Sequence, residues 1–100
     1  MIARIWQGRV KATHYDAYTE FMKNRAVPDY QQTDGFIKLS FLRRLDKEIG
    51  EFTLISYWEN LEVIKNFAGV DYEKAKYYPE DQDYLLEFPE KVIHFEVFAE

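Results

Sequence analysis

From Glu51 to Asn60 the chain reads EFTLISYWEN, apolar or aromatic at nearly every position between Phe52 and Trp58 and broken only by Thr53 and Ser56. A run this short and this rich in β-branched and aromatic residues predicts a strand. Because it is apolar on both faces, the strand should be central and covered on both sides. Asn60 then stands where a helix N-cap belongs. Upstream, Ile2 to Val10 alternates: Ala3, Ile5 and Gln7 face one way, Ile2, Arg4 and Trp6 the other. This is the first predicted strand. Thr13 to Asp16 has the spacing of a capping box with Asp in place of Glu. Tyr18, Phe21, Met22 and Arg25 recur at helical spacing, predicting a helix from about His14 into the mid-twenties. Pro28 disfavours helical backbone at Val27 and leaves Asn24 without a backbone partner, so a kink or restart is expected there. Thr33-Asp34-Gly35 should end the helix.

Phe36 to Leu45 is the second predicted strand, with Ile37, Leu39 and Phe41 on one face and Lys38, Ser40 and Leu42 on the other. A hairpin over 46–50 joins it, antiparallel, to the central strand. Leu61, Ile64, Phe67 and Ala68 form the apolar stripe of a second helix closed by Gly69. Asp71 reads as the cap of a short third helix through Tyr77, and Pro79 as the start of a new turn. The last strand is predicted from Val92 to Phe98, with Ile93, Phe95 and Val97 opposite Val92, His94, Glu96 and Phe98. The order β-α-β-β-α-β is a split βαβ arrangement. The expected fold is therefore α+β, ferredoxin-like, with a four-stranded antiparallel sheet in one domain spanning 1–100. Helices can cover only one face of such a sheet. The other face is also largely apolar, so a second copy docked through the sheet face, an isologous homodimer, is its simplest cover.

Composition sharpens this expectation. Eight Phe, eight Tyr and two Trp make 18% of the chain aromatic, and each such side chain can bury about 150–250 Å². That load exceeds what a small monomer readily hides and calls for self-association or an apolar pocket. The net charge of −5 comes with no basic run, which argues against nucleic acid as a partner. The absence of cysteine excludes disulfides, thiolate catalysis and Cys-based metal sites. No segment has a signal peptide's apolar core or the length of a membrane span, so a cytoplasmic protein is expected. No Ser-His-Asp arrangement, phosphate loop or dinucleotide fingerprint is present, and neither a cofactor nor a metal is expected.

The β-α-β-β-α-β order, the SYWEN-LEVIKNFAG strand-to-helix passage and the AKYYPEDQDYLLEFPEKVIHFEV tail together resemble the antibiotic biosynthesis monooxygenase superfamily. The resemblance spans essentially the whole chain, the tail being its most specific part. It implies a dimeric α+β barrel with a pocket between each sheet and its own helices. Members include cofactor-independent monooxygenases of aromatic polyketides, haem-degrading monooxygenases and enzymes acting on a quorum-sensing signal; the fold does not choose among them. Haem degraders resemble one another in an Asn on the first strand, a Trp on the second helix and a haem-ligating His after it. The corresponding places here look like Gln7, Phe67 and Tyr77. Tyr can ligate haem iron, but the other two departures argue against the same chemistry.

Among candidate site residues, His94 on the last strand can serve as a general acid or base; the plainer reading is a hydrogen bond across the sheet to Arg4 or Glu96. Trp6, Tyr57, Trp58, Phe67 and Tyr77 are candidates to line a pocket for a small hydrophobic or aromatic ligand, or else to fill an ordinary core. Glu80, Asp81 and Asp83 read as a solvated acidic turn rather than a cation site. The leading functional expectation is a cofactor-independent monooxygenase on a small aromatic or quinol-like molecule, with His94 assisting proton transfer. The alternatives are a non-catalytic ligand-binding or stress-related barrel, and an isomerase or lyase on a small signalling molecule.

Overall fold

The computed structural model describes all residues 1–100. Its elements are β1 (Ile2–Lys11), α1 (Tyr15–Gln31), β2 (Phe36–Asp46), β3 (Ile49–Trp58), α2 (Leu61–Ala68) and β4 (Ile93–Glu96), with 3₁₀ turns at Ala12–His14 and Pro79–Asp83. The strands form one antiparallel sheet in the order β2-β3-β1-β4, so β3 and β1 are central, as the apolar run predicts. Both helices pack on one face. Along β3, Phe52, Leu54, Ser56 and Trp58 point into that layer and are buried. The β1 register places Arg4 opposite Ser56 and Trp6 opposite Leu54, so both point the same way.

Helix α1 contributes Tyr18, Met22, Ala26 and Tyr30, one residue every four, all buried. Pro28 does not break it: the helix runs on to Gln31, and the Gln32 N–H donates to the Pro28 carbonyl at 3.1 Å. The cost of the missing N–H is offset where Tyr30 stacks on Phe67, ring centroids 4.4 Å apart, and beside Trp58. The Thr13 capping box does not form. The 3₁₀ turn at Ala12–His14 shifts the helix start to Tyr15, and no side chain caps it. Helix α2 starts as expected, with the Asn60 side chain accepting from the Val63 N–H at 3.0 Å, and stops at Gly69, whose φ of 93° suits glycine.

Three further differences have local causes. A bulge between Phe36 and Lys38 puts Phe36, not Ile37, on the helix side with Leu39 and Phe41. The β2–β3 turn is Lys47-Glu48 with Lys47 at φ 59°. Gly50 instead lies in β3, where an added Cβ would come within 2.7 Å of the Tyr15 ring. No helix forms over 71–77. The segment's backbone pairs with the stretch before β4, through Ala75 N–H to Glu90 and Val92 N–H to Glu73, both 2.8 Å. Those same bonds hold 90–92 outside the sheet, so β4 is only Ile93–Glu96.

The far face of the sheet carries Ala3, Ile5, Ile55, Tyr57, Leu42, Ile93 and Phe95 by register. Leu42, Ile93 and Phe95 are 51%, 60% and 52% exposed. No helix is long and apolar enough to cross a membrane.

Candidate active site

Between the sheet and the helices lies a cavity of about 10 Å³, lined by Arg4 and Trp6 of β1, Tyr18, Met22, Ala26 and Tyr30 of α1, Leu54, Phe67, and Lys76, Tyr78 and Asp81 of the chain beyond α2. This is room for a single water molecule. Its polar lining is unusual for so small a space. Arg4 is 2% exposed and Trp6 6%. The Arg4 guanidinium donates from Nη1 to the Tyr72 carbonyl at 2.5 Å and from Nη2 to the Lys74 carbonyl at 3.2 Å, and lies 5.8 Å from the Phe67 ring centre. Arg4 Nε and Trp6 Nε1 are the two buried side-chain nitrogens that make no hydrogen bond of good geometry, although the phenols of Tyr30 and Tyr77 lie close enough to Arg4 and Trp6 to feel them. Both can only donate. Leaving a buried donor unmet costs about 1–3 kcal/mol, so the two donors call for an acceptor, either a water molecule in this space or the oxygen of a ligand that replaces it.

Asp81 stands on the cavity wall. It is 2% exposed, although its neighbours Glu80 and Asp83 are exposed. Tyr18 donates its hydroxyl to Oδ1 at 2.9 Å, and the Tyr78 N–H donates to Oδ2 at 2.7 Å. No lysine, arginine or histidine pairs with it. Burial pushes its carboxyl above the ordinary carboxylate range, against the opposing pull of the Tyr78 and Tyr18 hydrogen bonds. Burial also drives the Tyr18 phenol up, helped by Asp81, and takes the Tyr30 phenol to about 12 against the pull of Arg4. At neutral pH these phenols are therefore protonated donors.

A second carboxylate closes the far side. Asp29 accepts from the Tyr78 hydroxyl at 2.7 Å and pairs with Lys76 Nζ at 2.8 Å. Its partial burial works to raise its pKa, but the Lys76 and Tyr78 hydrogen bonds outweigh that and hold it below the ordinary range. Lys76 in turn sits 4.2 Å from the Phe67 ring centre. The irregular 69–78 segment is thus fastened to α1 by Asp29 and to β1 by Arg4.

The sequence candidates separate. Trp6 and Phe67 line the cavity. Trp58 is fully buried, packs on Phe67 at 5.2 Å and Phe36 at 5.3 Å, and gives its indole N–H to Ser56 at 2.9 Å. Tyr57 points to the opposite face, because neighbouring strand residues alternate; Lys38 lies 4.9 Å from its ring centre. Tyr77 is half-buried, edge-on to Trp6 at 6.4 Å, and its hydroxyl donates to the Pro89 carbonyl. His94 does not line the cavity. Its Nε2 accepts from Arg4 Nη1 at 3.3 Å and its ring packs edge-on to Tyr72. Burial, then Arg4, lowers its pKa, so it is the neutral acceptor that steadies the guanidinium. Gln7 faces away from the cavity, exposed, and the inward residue beside it is Trp6. Arg4 and Asp81 are visible in the sequence, the one on a strand face with Trp6 and the other in an acidic turn, but neither reads as a cavity residue. An acidic cluster around Asp81 reads as solvent-facing, and only contacts across the fold distinguish one member.

A larger depression, about 490 Å³, lies around Gln7, Arg9, Arg44, Glu51 and Glu87. Its charged side chains are paired, Arg9 with Glu87 at 2.6 Å, Arg44 with Glu51 at 2.9 Å, and Arg43 with Asp16 beyond the rim at 2.9 Å. It therefore presents no unmet donor of the kind the inner cavity holds.

No family model matches the sequence, and no curated protein matches it. Solved structures do. One from Nitrosomonas europaea, assigned to antibiotic biosynthesis monooxygenases, superposes with a TM-score of 0.71 at 16% identity, covering 99% of this chain and 100% of that one. The haem degrader MhuD of Mycobacterium tuberculosis, with two haems bound in its active site, gives 0.68 at 17% identity, covering 100% and 98%. The ActVA-Orf6 monooxygenase of Streptomyces coelicolor, in complex with nanaomycin D, gives 0.62 at 13%, covering 99% and 88%. The chain has the fold of the antibiotic biosynthesis monooxygenases. At these identities the likeness is one of fold, and the chemistry must come from this chain's own residues.

A haem does not fit those residues. No free ligand for iron faces the cavity: the His94 ring is engaged by Arg4 and Tyr72, and the Tyr77 phenol is held at Pro89 and pushed up by burial, away from the phenolate that would ligate iron.

Proposed function

We propose that the protein is a cofactor-independent monooxygenase acting on a small aromatic or quinol-like molecule. The observation that carries this reading is that Arg4 and Trp6, whose Nε and Nε1 make no hydrogen bond of good geometry, both line one buried, aromatic-walled cavity. Oxygenation without a cofactor needs an electron-rich substrate anion beside O₂, held dry. Donor-only groups in a low-dielectric cavity stabilise the oxyanion of a phenol or enol far better than its neutral form. One atom of O₂ then enters the ring as a quinone carbonyl, and the other leaves as water with two hydrogens from the substrate. The ligand must displace lining. Met22 and the 69–78 segment, held by discrete polar contacts rather than regular structure, are the parts suited to yield.

The reading includes a homodimer through the open sheet face, supported by the exposed Leu42, Ile93 and Phe95 beside Ile5 and Ile55. His94 serves in it by positioning Arg4 rather than by moving a proton itself.

Oxygen uptake by the pure protein across a panel of phenols, anthrone-like enols and quinols tests the reading. Uptake that is saturable and falls by tenfold or more in Trp6→Phe is expected. No uptake with any member of the panel would sink it.

A further inference from the structure

We propose that Asp81, oriented by Tyr18, is the base that takes the proton from the hydroxyl of an aromatic substrate bound in this cavity. The inference rests on the reading above and supplies the proton acceptor that reading lacks. Three features carry it. Asp81 is almost wholly buried yet makes no ion pair, an arrangement that costs stability when the group is ionised and is relieved when it takes up a proton. It lines the same cavity as Arg4 and Trp6, so a proton acceptor and the donors for an oxyanion face one space. Finally, each of its oxygens accepts one hydrogen bond, from Tyr18 and from the Tyr78 N–H, leaving lone pairs on both. Capping the Pro79–Asp83 turn explains the Tyr78 bond alone. It explains neither the burial nor the bond from Tyr18, sixty-three residues away.

The step is a simple transfer. The substrate O–H bond breaks, its electron pair stays on oxygen, and the proton moves to Asp81, which becomes a neutral carboxylic acid. The phenolate oxygen accepts from Arg4 and Trp6. Burial favours the neutral acid, so the wall stores the proton without stranding a charge. The titratable and charged groups around Asp81 are Tyr18 and Tyr30 from α1, Arg4 from β1, and Lys76, Tyr77 and Glu80 from its own stretch of chain. Tyr18 is a positioning residue: its hydrogen bond holds the Asp81 pKa down, so removing it should raise that pKa.

The test adds 2-naphthol to the protein under argon, so that no oxygen step intervenes. Naphtholate absorption and the infrared band of a protonated carboxyl group are recorded together. The wild type should show both, and Asp81→Asn should bind naphthol without either. In air, Asp81→Asn should lose about a hundredfold or more in kcat with KM little changed, the size expected for a lost general base. Tyr18→Phe, which keeps the carboxylate and the turn cap, guards against a variant that fails to fold. It should keep the carboxyl band, shift it to higher frequency, and move the acid limb of the pH–rate profile upward. Naphthol bound with no carboxyl band, an unchanged band in Asp81→Asn, or Tyr18→Phe identical to wild type would each overturn the assignment while leaving the binding site standing. Naphthol that does not bind the wild type at all would overturn both.

Discussion

Asp29 and Asp81 are two carboxylates fastened to the same short stretch of chain, and they behave in opposite ways. Asp29 takes the Tyr78 hydroxyl and also Lys76, and its pKa falls. Asp81 takes the Tyr18 hydroxyl and the Tyr78 N–H but no cation, and its pKa rises. The number of hydrogen bonds is similar. The difference is burial and the single ammonium at Asp29, which turns one site into a fastening and leaves the other a proton acceptor facing a cavity. A carboxylate paired with a cation serves as a fastening, and a buried one without a cation is a candidate for chemistry.

The strongest way to break this comparison is to remove the wall both sites share. Phe67 lies beneath Lys76 and Arg4 and packs on Tyr30 and Trp58. Phe67→Ala should cost about 3–5 kcal/mol of stability in denaturant unfolding. A loss below 1 kcal/mol would show that the cavity wall is not the packed unit described.

Single-partner removals sharpen the contrast. Tyr18→Phe takes a donor from a fully buried acceptor and should cost about 1–3 kcal/mol at neutral pH. Lys76→Met strips Asp29 of its cation, but both groups are partly exposed, so solvent screening limits the loss to about 1 kcal/mol. The reverse ranking would contradict the assignment of Asp81 as the more deeply committed site.

The smallest effects are the pH slopes, and their signs differ. The Asp81 pKa is raised in the fold, so its stabilising contribution is full below the unfolded value near 3.8 and is lost as pH rises through the raised folded value. The Asp29 pKa is lowered, so its contribution is present above 3.8 and is lost as pH falls through the lowered folded value. Relative to wild type, Asp81→Asn should gain in Tm as pH rises above 3.8. Asp29→Asn should instead lose in Tm relative to wild type as pH rises from the lowered folded value to 3.8, and stay level above it. Slopes of the same sign, or both confined to the same side of 3.8, in thermal unfolding would remove the distinction.

Most of the fold was legible in the sequence because its signals are local. The central strand, the Asn60 cap, the Gly69 stop and the two apolar faces of the sheet each follow from residues within a few positions of one another. The 71–77 segment misled because Asp71 resembles a cap, while its backbone partners lie near Glu90, far along the chain. The site was less legible. Tyr57 and Trp58 read as one aromatic wall, yet strand alternation sends them to opposite faces. Asp81 shares its composition with exposed neighbours, and only the reach of Tyr18 across the fold marks it. Arg4 is visible on the inward face of β1, but nothing local says that one of its nitrogens goes unmet.

A ligand oxyanion held by Arg4 and Trp6 is tested by the pair of indole N–H signals in a ¹H–¹⁵N spectrum, followed as 2-naphthol is titrated under argon. Trp58 already donates to Ser56 and serves as an internal reference, whereas Trp6 Nε1 has no acceptor. The Trp6 signal should move downfield to saturation as it gains one, while the Trp58 signal stays within a small fraction of that shift. A Trp6 signal that does not move, or a Trp58 signal that moves as far, would contradict a ligand oxyanion held in this cavity.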